Sequence, residues 1–170
     1  MAYKITLPMP QGWNCSQESF KDESGAEVSH FEAYLPNPVK EADEGLVDIY
    51  VGPMPEDTTA ADQAFANYAD MVGFDNDDPE DEDPIYEWPF NGRKAYGFEA
   101  YCEDGSPMRV MCIEIKKGVL CIINTVAKDD DSLVELITHV ETSSALVPSL
   151  SAKDPCSWAR RCLQVKGFLW

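Results

Sequence analysis

Apolar residues are most concentrated in three consecutive segments that together span Ala95–Ala127. Asp104-Gly105 separates the first two segments and Lys116-Lys117-Gly118 separates the last two, and both are turn sequences typical of β-hairpins. The last segment, Val119–Ala127, is apolar at nearly every position, whereas a strand with one exposed face alternates apolar and polar residues. The pattern therefore predicts three antiparallel strands, of which the last is central and buried on both faces.

Shorter alternating patterns predict further strands before this region. Tyr3–Leu7 and Leu46–Gly52 have strand patterns, and Trp13–Phe20 with Glu27–Leu35 is typical of a hairpin whose outer face is polar. His30 lies on that polar face, so we expect an exposed histidine without a catalytic or ligating role.

Two stretches have the 3.6-residue periodicity of amphipathic helices. The first covers 58–72 with Asp57 or Thr58 as its cap, and the second covers 132–143 with a Ser132–Glu135 capping box at its start. With the doubly buried strand between them, they predict an α/β (α+β) domain. We expect a mainly antiparallel sheet with helices packed on both faces.

The charge pattern divides the chain into a domain over residues 1–150 and a basic, apolar extension over residues 151–170. The extension has four basic residues and one acidic residue, in a chain whose net charge is −18. We expect the extension to dock on the acidic domain, because two exposed tryptophans would favour aggregation. The alternative is a free tail that recruits a partner through four of its residues: Trp158, Arg160, Arg161 and Trp170.

The segment 75–83 is the most acidic part of the chain. Its carboxylates are candidate ligands for calcium, because hard cations prefer oxygen ligands, although their spacing does not match an EF-hand. These candidate ligands are Asp75, Asp77, Asp78, Glu80, Asp81, Glu82 and Asp83.

Composition narrows the classes of function. A charge of −18 repels nucleic acids and anionic membranes and favours a basic partner. No apolar run reaches the roughly 20 residues of a membrane span, and no export signal is recognisable, so we expect a cytoplasmic protein. Because no export signal is recognisable and the cysteines of the predicted strands fall at core positions, we expect all six cysteines to be free thiols.

Three parts of the sequence resemble the Mog/PsbP-like family: residues 5–13 with their Pro-x-Gly-Trp ending, residues 92–95, and residues 118–127 before the second helix. The resemblance covers about residues 3–147. It implies an antiparallel sheet with helices on both faces and a role in binding other proteins without catalysis.

Together these observations predict a non-enzymatic protein-binding, adaptor or chaperone-like module. We expect no catalytic residues, cofactor, nucleic acid or membrane partner, and we expect the partner to be another protein, with a basic one favoured by charge. The alternative is a cation-binding protein or an enzyme that uses the acidic loop 75–83.

Overall fold

The computed structural model describes residues 2–39, 43–72 and 84–148. These residues form nine strands and two helices. In chain order the elements are β1 (Tyr3–Thr6), β2 (Asn14–Lys21), β3 (Glu27–Leu35), β4 (Gly45–Pro53), α1 (Ala60–Val72), β5 (Tyr86–Phe90), β6 (Arg93–Tyr101), β7 (Pro107–Lys116), β8 (Val119–Ala127), α2 (Asp130–Ser143) and β9 (Ala145–Pro148).

The main sheet has seven strands in the order β2-β3-β4-β8-β7-β6-β5, and every neighbouring pair is antiparallel. Two meanders, β2–β4 and β5–β8, meet where β4 pairs with β8. No residue of β8 is exposed, and seven of its nine residues are buried. The prediction of a central strand buried on both faces is confirmed. Neither face of such a strand meets water, which explains why its sequence does not alternate between apolar and polar residues.

A second sheet consists of β1 and β9, which pair from Tyr3 opposite Pro148 to Thr6 opposite Ala145. The Tyr3 backbone N–H donates to Ser29 Oγ at 2.8 Å, which joins this sheet to β3. β9 was not predicted from the sequence. It has four residues, and its stability depends on pairing with a strand at the other end of the described chain.

The helices begin at residues other than the predicted caps. Before α1, Thr59 and Asp62 bond reciprocally: the Thr59 N–H donates to the Asp62 carboxylate at 2.8 Å, and the Asp62 N–H donates to Thr59 Oγ1 at 3.2 Å. Before α2, Asp129 is the N-cap and its carboxylate accepts from the Ser132 N–H at 2.8 Å. The predicted capping box at Ser132 is therefore wrong, because Ser132 already lies in the first turn.

The predicted fold class, with helices packed on both faces of the sheet, is wrong. Strands make up 50% of the described residues and helices 20%, in a β-sandwich-like arrangement. The core that contains α2 also takes Tyr3, Ile5 and Leu7 from the β1 region, while α1 contributes only Ala60 and Ala64 as buried residues.

Dimensions explain the difference. A helix is about 10 Å wide, whereas seven strands spaced about 4.8 Å apart extend roughly 30 Å. One helix therefore covers two or three strands: α1 packs on β6 and β7, and α2 packs on β7 and β8. An amphipathic stripe in the sequence indicates that a helix packs on something, but not how much of a sheet it covers.

Neither α1 nor α2, the helices of the described residues, is long and apolar enough to cross a bilayer.

Candidate functional site

A cleft of about 320 Å³ opens between α2 and the ends of β3, β4 and β8. Its apolar walls include Met9, Trp13, Leu35 and Leu136. Its polar lining consists of Glu44, Lys128, Ser132, Glu135 and His139. The cleft therefore combines an apolar interior with charged groups, an arrangement suited to holding an apolar group beside a polar one.

The turn before β2 places Trp13 in this cleft. Gly12 has a φ of 100°, a backbone conformation that favours glycine, and the Trp13 N–H donates to the Pro10 carbonyl at 3.4 Å. The indole then lies over Gly45 at the start of β4, where a Cβ atom would come within 2.6 Å of Trp13 Cη2. Gly45 is thus required for the position of the Trp13 ring.

Helix α2 forms the opposite wall. Leu136 and Val140 are buried beneath it, so their side chains fix its orientation on the sheet. On its exposed side, His139 Nε2–H donates to the Pro8 carbonyl oxygen at 2.7 Å, since a carbonyl can only accept. This bond joins the helix to the chain segment that carries Met9 and Trp13.

A second polar cluster lies on the opposite face of the main sheet, over β2, β3 and β4. His30 Nε2 is 2.9 Å from Asp48 Oδ1, and His30 Nδ1 is 3.5 Å from a Glu18 carboxylate oxygen. The imidazole stacks on Tyr50 with ring centroids 4.3 Å apart and an angle of 6° between the planes. Only 13% of the His30 side chain is exposed, so the prediction of an exposed histidine is wrong: neighbouring strands supply partners that the polar pattern of β3 alone does not reveal.

The carboxylates determine the electrostatics of this cluster. Burial alone would lower the pKa of His30, but the hydrogen bond and charge of Asp48, together with Glu18, outweigh burial and raise it. Burial raises the pKa of Glu32, and the negative charge of Asp48 raises it further. Burial and the same carboxylate also raise the pKa of Tyr50. These groups therefore make a partly desolvated site that favours positive charge.

The site residues predicted from the sequence all lie outside the described residues. These are the acidic-loop carboxylates (Asp75, Asp77, Asp78, Glu80, Asp81, Glu82 and Asp83) and the tail residues (Trp158, Arg160, Arg161 and Trp170). Within the described residues, no group of three or more His, Cys, Asp or Glu side chains could hold a metal ion.

The four described cysteines are free thiols. Cys112 and Cys121 are buried in the sheet, and burial raises the pKa of each to about 12. Cys15 on β2 is exposed, whereas Cys156 and Cys162 lie outside the described residues. Buried thiols with such high pKa values are inert nucleophiles.

Sequence reasoning missed both the cleft and the cluster. The glycine of the turn before Trp13 is the one local signal that indicates a special backbone position there, and it does not reveal what the indole contacts. The His30–Asp48 contact joins neighbouring strands that are separated by a loop, and no local pattern indicates it.

Comparisons with known proteins give little further information. No family model matches the chain, and neither does any curated protein. Among solved structures, the chain is similar to LpqN, which is involved in cell envelope biogenesis of Mycobacterium tuberculosis, with 17% identity and a TM-score of 0.47. The similarity covers 86% of this chain and 85% of that one, and we draw no functional conclusion from it.

Proposed function

We propose that this protein is a non-enzymatic protein-binding module that holds a segment of a partner protein in the Trp13 cleft. The observation that carries the proposal is the cleft itself, in which apolar walls adjoin two carboxylates, Glu44 and Glu135. The partner segment presents an apolar side chain to the walls and a neighbouring lysine or arginine to these carboxylates.

Electrostatics favour a basic partner over an acidic one. The chain carries a net charge of −18, so a basic segment is attracted over a distance of about a Debye length, roughly 8 Å at physiological ionic strength. Lys128, between β8 and α2, adds one positive charge to the cleft lining, beside two acidic groups. The resemblance to the Mog/PsbP-like family also favours a protein-binding role without catalysis.

The polar groups of the cleft also favour binding over catalysis. The hydrogen bond of His139 Nε2 goes to the Pro8 carbonyl rather than to a hydroxyl or thiol, so this imidazole is engaged in holding two segments together. A histidine that activates a nucleophile needs that nitrogen directed at the nucleophile.

Selection from a random peptide library on the purified full chain tests the proposal. We expect selected peptides to share an apolar residue beside a lysine or arginine. Calorimetry should show binding of such a peptide weakened at least tenfold by Gly45→Ala, which displaces the Trp13 ring. Glu135→Gln should weaken it less, and the difference should shrink at high salt.

The matched control is Glu103→Gln, which removes the same charge at an exposed turn between β6 and β7 and should leave binding unchanged. Selection of peptides without a shared pattern, or binding that Gly45→Ala does not weaken, would contradict the proposal.

A further inference from the structure

Three hydrogen-bond acceptors lie side by side on adjacent strands, on the sheet face opposite the Trp13 cleft. Glu32 on β3 pairs with Asp48 on β4, and Asp48 pairs with Asn124 on β8. Directly opposed residues of antiparallel strands project their side chains to the same face, with Cβ atoms about 4.5–5.5 Å apart. Because Ile49 and Ile123, the next residues along, belong to the core beneath α2, this acceptor row faces the other way.

Asn124 is the unusual member of the acceptor row. It is only 7% exposed, and its Oδ1 has no hydrogen-bond donor among the described residues. Native proteins pair nearly all buried polar atoms, so an orphaned buried acceptor needs an explanation. Its cross-strand neighbours are Asp48 and Val110, a hydrogen-bond acceptor and an apolar residue, so neither offers a side-chain donor to this oxygen.

Asp48 and Glu32 complete a site that accepts hydrogen bonds and carries negative charge. Asp48 is about nine-tenths buried, and its Oδ1 accepts from His30 Nε2 at 2.9 Å, while an ionised carboxylate has room for further donors. Glu32 is partly exposed, and Glu18 on β2 is 63% exposed, so the open approach to the row lies over β2 and β3.

We propose that this acceptor row binds the guanidinium group of an arginine side chain presented by a partner protein. A guanidinium is planar, has five N–H donors and no acceptor, and keeps its charge when partly desolvated. It can bond the carboxylates of Glu32 and Asp48 with its fork and direct a further N–H at Asn124 Oδ1. An ammonium group is a compact point charge with a more tightly held hydration shell, so it fits acceptors spread over three strands less well.

This inference does not depend on the proposed function of the Trp13 cleft, because the two sites lie on opposite faces and share no residue. A negative result in the test of one site therefore does not contradict the proposal for the other site.

The test is a titration of the full chain with the probe acetyl-Gly-Arg-Gly-amide, followed by NMR of the Asn124 side-chain amide and the His30 ring. We expect saturable shifts of both signals. The lysine analogue of the peptide should bind several-fold more weakly, and the citrulline analogue, which keeps the shape but lacks the charge, should give no saturable shift.

Two variants and one control assign the site. Asp48→Asn and Asn124→Leu should each weaken binding of the arginine peptide at least fivefold, and Glu103→Gln should leave it unchanged. Asn124→Leu removes the orphaned acceptor, so it should fold even where Asp48→Asn does not. Peptide shifts that both variants leave unchanged, or an equal response to citrulline, would overturn the proposal.

The source of the arginine is tested with the double variant Arg160→Gln, Arg161→Gln in the full chain. Equal peptide affinity with and without these changes supports a partner protein as the source. Tighter peptide binding by the double variant would overturn that assignment in favour of arginines of this chain.

Discussion

Gly97 in β6 provides the sharpest test of the packing, because backbone atoms of β7 leave no space for a methyl group at this position. A Cβ atom at this position would lie 1.8 Å from the Val110 carbonyl oxygen and 3.0 Å from Met111 Cα. Both are backbone atoms of β7, which is hydrogen-bonded to strands on both sides. The clash cannot be relieved by a side-chain rotation, so we expect Gly97→Ala to separate β6 from β7 locally.

The cost follows from the size of the overlap. Relief requires a backbone movement of more than about 1 Å in a close-packed sheet, and overpacking typically costs about 1–3 kcal/mol. We expect Gly97→Ala to lower the free energy of unfolding by about 3 kcal/mol or more, which is the upper end of this range. For a chain of this size that loss corresponds to a fall in Tm of roughly 6–12 °C.

Gly45→Ala is the matched contrast, because its new methyl group would meet a side chain. The nearest atom is Trp13 Cη2 at 2.6 Å, at the far end of a partly exposed indole that can rotate away. Replacing glycine also removes freedom from the unfolded chain, which stabilises by about 0.4–1 kcal/mol where the backbone permits alanine. We expect a net change within about 1 kcal/mol, together with a change in tryptophan fluorescence.

Thermal and urea unfolding followed by circular dichroism measure both variants. A fall in Tm for Gly97→Ala no larger than that for Gly45→Ala would refute the reasoning. It would mean that a clash with backbone atoms costs no more free energy than a clash with a side chain.

Three further predictions concern charge, thiols and the core beneath α1, to which Phe98 belongs together with Ala64 and Val110. Asp48 raises the pKa of His30 in the folded state. The stabilisation from the His30–Asp48 contact is therefore complete at low pH and is lost as the pH rises through this folded-state pKa. His30→Gln should flatten this dependence of Tm on pH. Among the described cysteines, Cys15 should react first with iodoacetamide and Cys121 only on unfolding. Phe98→Ala, at a side chain 1% exposed, should cost about 3–5 kcal/mol in urea unfolding.

Each of these predictions has a defined contrary result. A His30→Gln variant whose Tm depends on pH as steeply as the wild type would show that the Asp48 contact contributes no pH-dependent stability. Labelling of Cys121 at the rate of Cys15 in the folded protein would contradict their different burial. A loss below about 1 kcal/mol for Phe98→Ala would mean that the face beneath α1 is loosely packed.

The elements with strong local patterns were predictable from the sequence. The apolar run of β8 and the two amphipathic helices follow from periodicity, because side-chain direction repeats every two residues in a strand and every 3.6 in a helix. The turns at Asp104-Gly105 and Gly118 were also recognisable, and both glycines have positive φ. Helix starts were less predictable, because Ser, Thr and Asp all cap helices and several occur together at residues 57–62 and 129–132.

The predicted fold class was wrong because periodicity does not indicate how much of a sheet a helix covers. An apolar stripe indicates that a helix has a buried side, whereas the extent of the sheet that it covers depends on how many strands pair. Strand β9 shows the same limit, since four residues from Ala145 to Pro148 form a strand only where β1 is present to pair with them.

The sequence by itself determined the acidic net charge and the central strand, because each depends on residue type or on neighbours a few positions away. Only the tertiary structure decided the two candidate sites. Trp13, Gly45 and Leu136 form one, and Glu32, Asp48 and Asn124 form the other. In each set the members are separated by long stretches of chain, so their meeting depends on strand register and on helix docking, which are properties of the whole sheet.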